Sequence, residues 1–436
     1  MPTYYLDLDT QFANHTGADS SGNEYYGPGG FMAAINGWGL ATALAADDVL
    51  NVTGTGYLTR LVKVTADADK SATWLAGDDI QNHNDGGGAN GDNWNGILVR
   101  CEATTLWVEL DSGGDEDDVD TADGIYNITR TDDLAGVNMT AKACPGIQVD
   151  VADGNLGGGD PIFITGVNAS WTNDGTYAVF DGGGDAVNCI KVSNKDSYIW
   201  ENIDCTNSTG DVWASTATSA NHFFLHCRGR SSAAGDGWGD PWYSSRAFNC
   251  VAENNAGHGF TSGVRRMDYV GCMSSGNGVY GFLGNQNAMV GCIAHNNSDT
   301  GVRDQYGSII AVNCVADGNP DGFGLSVGGL LFRCRITNSS SGGIDVYGGG
   351  TVYAIDCYFD SNGANTIGDV VVTSYQGAET AVTGGIVGYE DLANDKFNLI
   401  LGAAGYRKSL DIDGNSNYVS PMGLPAMIIP KIGDEG

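Results

Sequence analysis

The chain has 436 residues, among them 67 Gly, 44 Asp and nine Glu, and carries a formal net charge of −33. So much Gly, Asp and Asn, all turn formers and poor helix formers, excludes a helical protein, while 42% hydrophobic residues exclude a disordered one. The acidity repels phosphate backbones and excludes a nucleic-acid partner, and no apolar run reaches the ~18 residues of a membrane span.

From the N-terminus, MPTYYLDLDT has neither a basic n-region nor an apolar h-region, so classical secretion is not expected. The stretch GGFMAAINGWGLATALAADDVLNVTGT (29–55) predicts an Ala-rich helix, an Asp-rich turn and a first strand, so 1–70 reads as a cap and first coil. Residues 71–135 break that character. GDDI (77–80), GILVRCEATTLWVELDSG (96–113) and DGIYNIT (123–129) read as short strands of an inserted β module with acidic or Gly-rich loops.

From 136 to 375 the chain repeats. Cys205, Cys227, Cys250, Cys272, Cys292, Cys314, Cys334 and Cys357 are separated by 22, 23, 22, 20, 22, 20 and 23 residues, the mark of a solenoid. Two residues before each stands an apolar side chain (Ile203, Leu225, Phe248, Val270, Val290, Val312, Phe332, Ile355), and between them a residue that is never a large apolar one. This alternation predicts that each Cys faces inward on a strand together with that apolar partner. Asn follows four or five residues later (Asn254, Asn277, Asn296, Asn319, Asn338, Asn362), then a Gly and an apolar residue that open another strand, as in Gly259-Phe260 and Gly281-Phe282. One coil is therefore about 22 residues with two or three strands and sharp Asn and Gly corners. The eight Cys form an inward ladder of small hydrophobes, and no CxxC or Cys/His spacing for zinc occurs.

These features together resemble the right-handed parallel β-helix of the pectate-lyase-like superfamily. The resemblance implies an all-β solenoid with an N-terminal capping helix, and DKFNLILGAAGYRKSLDIDGN (395–415) is similar to segments that close such helices, so 376–436 is expected to be a closing tail. The GD-x-I, TTL-x-V and DGI elements of the insert resemble modules of phage structural proteins. Ala-Gly-His-Gly-Phe (256–260) contains the GHG of pectin-hydrolysing β-helix enzymes, but NTD, a matching Asp pair and Arg-x-Lys are missing. The repeat also explains His258, because Tyr280, Thr300 and Asp321 occupy its position in the following coils.

Chemistry has few other footholds. Arg228, Arg230, Arg246, Arg265, Arg266, Arg303, Arg333 and Arg335 fall near Asp236, Asp240, Asp268 and Asp304. Asp236, Asp240, Arg265 and Asp268 are the catalytic candidates if a lyase or hydrolase site exists, and pairing of Arg with Asp across coils is the competing explanation. GDGWGDPWYSSR (235–246) gathers Trp238, Trp242 and Tyr243, aromatics suited to a sugar ring, a protein interface or packing on adjacent coils. His222 and His226 are expected on the face opposite Cys227 as a surface or interface pair. No cofactor is expected. Asp411, Asp413 and Asn415 alternate like a calcium loop without its bidentate Glu, and the acidic run Asp111–Asp120 matches no EF-hand.

The expected function is a non-enzymatic bacteriophage virion protein, a capsid decoration or tail-associated spike, with a host glycan as a further ligand. Synthesis in the host cytoplasm and release by lysis suit the unsignalled start and reduced thiols. Other virion proteins and a second copy, in a trimer for instance, are the expected partners. The alternative is an extracellular or virion-borne polysaccharide lyase or glycoside hydrolase.

Overall fold

The computed structural model describes residues 2–12, 24–38, 44–83, 94–120, 124–131, 138–150, 161–216, 220–239, 242–262, 267–285, 287–305 and 307–373, and the backbone of short strands at 382–383, 389–391 and 396–399. It comprises two compact units, 1–243 and 244–436. The chain is an all-β solenoid of ~14 turns with ~22-residue coils, one short helix near the N-terminus and a small antiparallel sheet inserted early. This matches the architecture expected from the cysteine spacing.

In the first unit, one parallel sheet takes Glu24–Tyr26, Thr3–Asp7, Val49–Thr53, Ile162–Gly166, Tyr198–Glu201 and Phe223–Leu225 in that spatial order. A second stacks Thr55–Tyr57, Ala178–Asp181, Ile203–Thr206 and Arg228–Arg230, and a third stacks Ile147–Val149, Ile190–Val192 and Trp213–Ser215. Register is set by burial: Leu50, Ile164 and Trp200 lie directly above one another, all fully buried.

The insert is wider than the sequence suggested. Its six-stranded antiparallel sheet, ordered Met139–Ala143, Leu61–Ala66, Thr105–Leu110, Asn95–Glu102, Asp79–His83 and Gly124–Asn127, starts at Leu61 and ends at Ala143 rather than spanning 71–135. Leu61–Ala66 and Met139–Ala143 alternate like coil strands and carry no turn signal of their own, so the composition does not reveal the seam. The sheet has its own core of Val62, Val64, Trp74, Ile80, Leu98, Leu106, Val108 and Ile125.

The helix is Gly27–Asn36, shorter than the Ala-rich stretch predicts, and buried along its whole length. Its N-terminus has no side-chain cap of its own; the Glu109 carboxylate of the insert accepts hydrogen bonds from Gly29 N at 2.7 Å and Phe12 N at 2.9 Å. Gly27 is required there, because its φ is +69° and a Cβ would stand 2.4 Å from Glu109 Oε1. Burial pushes the Glu109 carboxyl up to about 7, against the two amide donors and the Arg60 guanidinium 3.5 Å away.

The second unit is the more regular. One sheet stacks Ser245–Phe248, Met267–Val270, Ala288–Val290, Ile309–Val312, Gly328–Phe332, Thr351–Ile355 and Val370–Thr373. A second stacks Val251–Glu253, Met273–Ser275, Ile293–His295, Val315–Asp317, Arg335–Thr337 and Tyr358–Asp360. A third stacks Phe260–Thr261, Phe282–Gly284, Thr300–Asp304, Asp321–Leu325, Gly342–Val346 and Ala364–Ile367.

The cysteines are inward, with exposures of 0–4% from Cys205 to Cys357; the expected apolar partner is buried with Cys205, where it is Ile203, but not in the later coils. From Cys227 on, the residue just before the Cys takes a left-handed corner: His226, Asn249, Asn313, Arg333 and Asp356 have φ of 51–53°, and Gly271 and Gly291 of 64–65°. That corner reverses the alternation. Ala247, Tyr269, Met289, Ala311, Leu331 and Ala354 point into the core, and Phe248, Val270, Val290, Val312, Phe332 and Ile355 are only half-buried, on the opposite face of their strands. From Cys227 to Cys357 each thiol donates to the carbonyl two residues earlier, as Cys250 does to Phe248 at 3.5 Å and Cys314 to Val312 at 3.5 Å, sharing an oxygen that also accepts a backbone amide from the adjacent coil, as Val312 does from Gly291 at 2.9 Å. All eleven cysteines are free thiols, and burial pushes those of Cys205, Cys292 and Cys334 well up.

The asparagines divide into two classes that spacing alone merges. Asn254, Asn296 and Asn338 take left-handed corners, with φ of 51–56°. Asn255, Asn277, Asn297 and Asn319 point inward, each at most 2% exposed, and form a ladder: Nδ2 donates to the next Oδ1 at 3.0, 2.9 and 3.0 Å. The same oxygens accept the backbone amides of Asn255, Asn277 and Asn297. The ladder thus satisfies the buried Asn277, Asn297 and Asn319 oxygens from the adjacent coil.

Candidate functional site

The third sheet of the second unit exposes a row of polar and aromatic side chains. In Thr300–Asp304 the alternation turns Val302 inward and Arg303 outward. Arg303 is in register with Leu283 on one side and Gly324 on the other. Because Gly324 has no side chain, Tyr347 from the next coil lies across it, its Cε1 3.7 Å from where a Cβ would stand, and reaches back to Arg303. The guanidinium carbon sits 4.5 Å from the Tyr347 ring centre and 5.0 Å from that of Tyr280.

Tyr280 is in turn stacked on His258, with ring centres 4.8 Å apart and planes 13° from parallel. His258 Nδ1 accepts the Tyr280 amide at 3.2 Å. Tyr347 is held from below: its hydroxyl donates to the Asp304 carbonyl and lies 3.2 Å from Asp304 Oδ1. Asp304 is fully buried and also accepts the amides of Ser326 and Val327. Burial pushes the Tyr347 hydroxyl up, and burial with the nearby Asp321 raises the Asp345 carboxyl against the pull of Arg303.

The decisive feature is the state of Arg303. Its guanidinium carbon lies over two tyrosine rings, while among the described residues its N–H groups donate no hydrogen bond and close no ion pair within 4.0 Å. In a chain of charge −33 that is an unusual position for a cation. Arg230, by contrast, is committed to a two-pronged bond with Asp204 at 2.7 and 2.9 Å. The row offers an oriented, open donor fork, two aromatic rings, and the Asp321 and Asp345 carboxylates as acceptors.

The residues singled out from the sequence fall elsewhere. Trp238 and Trp242 are fully buried, not exposed: Trp238 stacks on Trp213 at 5.9 Å, and Trp242 packs edge-on against Phe224 at 5.0 Å. A sugar has no access to either ring. His222 is also core, not surface: it lies between Tyr198 and Trp242, its Nε2 3.0 Å from the Lys195 carbonyl, and burial pushes its imidazole down to about 3. His226 is an exposed left-handed corner and Tyr243 a half-buried bridge residue opposite Ala220. His222 and His226 thus part company, one inside and one outside.

Among the catalytic candidates, Asp236 donates its amide to Asp211 Oδ1 at 2.9 Å, and burial followed by the nearness of Asp236 raises the Asp211 carboxyl. Asp268 accepts the Ala288 amide at 3.2 Å and stands 4.0 Å from Arg246, its register partner one coil away. That is the cross-coil pairing weighed against a site. Asp240, Arg265, Asp411, Asp413 and Asn415 lie outside the described residues. Among the described residues no group of three His, Cys, Asp or Glu is placed to hold a metal ion, and no helix is long and apolar enough to cross a membrane. The run from Asp111 to Asp120 is a turn that satisfies itself, Asp118 accepting the Asp115 amide and Asp115 that of Asp117.

No protein-family model matches the chain, and no curated protein matches it. Solved structures do. A rhamnogalacturonan lyase is 12% identical over 92% of this chain and 95% of its own, with a TM-score of 0.48. Pectate lyase Pel9A is 14% identical over 90% and 84%, with a TM-score of 0.47. ORF18 of Geobacillus virus E2 is 12% identical over 58% and 53%, with a TM-score of 0.40. At these identities and TM-scores the likeness adds nothing to the parallel-stranded solenoid that the strand pairing itself shows.

Proposed function

We propose that this chain is a virion-associated β-helix protein of bacteriophage type that binds a glycan on the row His258–Tyr280–Arg303–Tyr347 without cleaving it. The observation that carries the binding reading is the guanidinium of Arg303, oriented by two rings and uncommitted among the described residues. An uncommitted, pre-oriented fork suits a planar carboxylate, as on a uronic acid, and Asp321 and Asp345 suit the hydroxyls of the same chain. The virion reading is supported by composition: an acidic, densely laddered solenoid with reduced thiols fits a particle assembled in cytoplasm.

The test is a panel of hexuronate and neutral oligosaccharides, read by both binding and the appearance of unsaturated or reducing ends. Binding without product, lost in Arg303→Ala, is the expected result. Turnover abolished by His258→Ala would replace this reading with a lyase, for which the imidazole and phenol beside Arg303 supply proton-transfer groups. For the virion, the gene's neighbours decide: capsid, portal and tail genes are expected, and a cluster of sugar transporters would overturn it.

A further inference from the structure

The first sheet of the second unit has an unusual outer face. From Ala288–Val290 to Val370–Thr373, five successive strands contain no Asp, Glu, Lys or Arg. Their outward positions are instead apolar and aligned. Ile310, Leu330, Tyr353 and Val371 stand in register across four coils, and Ile310, Tyr353 and Val371 are 48%, 50% and 41% exposed. Val312 and Phe332 belong to a second, half-buried row two residues further along the same strands. The outer faces of the other two sheets differ: they carry Glu253 and Asp360, or Arg303, Asp321 and Asp345.

We propose that this face is a self-association surface, occupied by the same face of a second copy of the chain. The argument is electrostatic. Two copies that each carry −33 repel wherever their carboxylates meet, and the row Ile310–Leu330–Tyr353–Val371 lets them approach on apolar side chains, with the Arg333 guanidinium 5.1 Å from the Phe332 ring at its edge and no carboxylate on the strands themselves. A cationic partner would be drawn to the acidic surfaces instead. In a two-fold contact, each apolar row faces the equivalent row of the other copy. Five strands at ~4.8 Å spacing and about 15 Å of strand length give roughly 400 Å² a side, within the range of patches with a function but below a standard stable interface. The association is therefore reversible and concentration-dependent.

Sedimentation of the full chain over a range of concentrations, at ~0.05 M and ~1 M NaCl, tests it. The associated species grows with concentration and also with salt, since salt screens the repulsion and strengthens apolar burial. The Ile310→Ser/Tyr353→Ser double variant weakens association at least ~10-fold, equivalent to about 1.4 kcal/mol. Tyr353→Gln alone weakens it less, and circular dichroism verifies that both variants stay folded. Arg303→Ala, on another face, leaves association unchanged. A wild type that is monomeric at every salt and concentration overturns the proposal, as does a folded double variant that associates like the wild type.

Discussion

Residues 198–242 of the first unit and residues 244–373 of the second build the same kind of coil from opposite materials. The first packs irregular, large rings: Trp200, Trp213, Phe224, Trp238 and Trp242 are all fully buried, with centres 5.0–6.0 Å apart where they touch. The second repeats small parts, a thiol at one corner and an amide ladder at another. The comparison teaches that the coil shape comes from its corners, and that the interior tolerates either a unique jigsaw or a periodic filling. The two differ in what a single change removes. A ring lost from the jigsaw leaves a large cavity, whereas a rung lost from a ladder leaves a polar group unpaired or a small gap.

The sharpest test of that contrast is Trp213→Ala. Trp213 touches Trp200, Phe224 and Trp238, and its Nε1 donates to the Arg228 carbonyl at 2.8 Å, so truncation is expected to cost about 3–5 kcal/mol in chemical denaturation. A loss under ~1 kcal/mol would mean that the cluster collapses to fill the space.

Acid is expected to separate the regions next. The His222 imidazole is held near 3 by burial, below its ordinary 6.5, so its stabilising effect is fully present above 6.5 and is lost as pH falls toward 3. His222→Phe should therefore flatten the loss of stability between those values, measured by urea midpoints across pH. An unchanged acid limb would show that the ring is not the group that titrates.

In the ladder, Asn297→Ala takes the Oδ1 acceptor from the Asn277 backbone amide and from Asn277 Nδ2, and one of two donors from Asn319 Oδ1, and about 1–3 kcal/mol should be lost. Cys292→Ala removes one small buried group and about 1 kcal/mol, the smallest loss of the core changes. If Cys292→Ala costs as much as Trp213→Ala, the distinction between jigsaw and ladder fails.

Much of the ladder was legible in the sequence and little of the jigsaw. Eight cysteines at near-constant spacing announce a coil, because each coil must present the same inward position once. What spacing could not give was direction: a single left-handed residue, such as Asn249 or Asn313, shifts the alternation, so Phe248 and Val312 stand outside where period two placed them inside. The Asn at four and five residues past the Cys differ by one position and hence by face, which merges a corner class with a core class.

The aromatic cluster could not be decided from composition. Trp238 and Trp242 lie in a Gly- and Asp-rich turn that suits solvent as well as packing, and the structure shows the packing, with Trp238 bridged to Trp213 of the preceding coil. The proposed site was half visible: His258 and Tyr280 share one position of the repeat and Arg303 belongs to the Arg-rich run, but Tyr347 is marked by neither. Its contact with Arg303 crosses the coil of Gly324, and only the missing side chain there brings the two together.

The central functional claim rests on that contact. Calorimetric titration of a hexuronate oligosaccharide into the wild type, Arg303→Ala and Arg303→Lys tests it most directly. The account predicts saturable binding by the wild type, a loss of at least ~10-fold in Arg303→Ala, and partial recovery in Arg303→Lys, which restores the charge without the fork. Equal affinity of the wild type and Arg303→Ala, or no binding by the wild type, would contradict it.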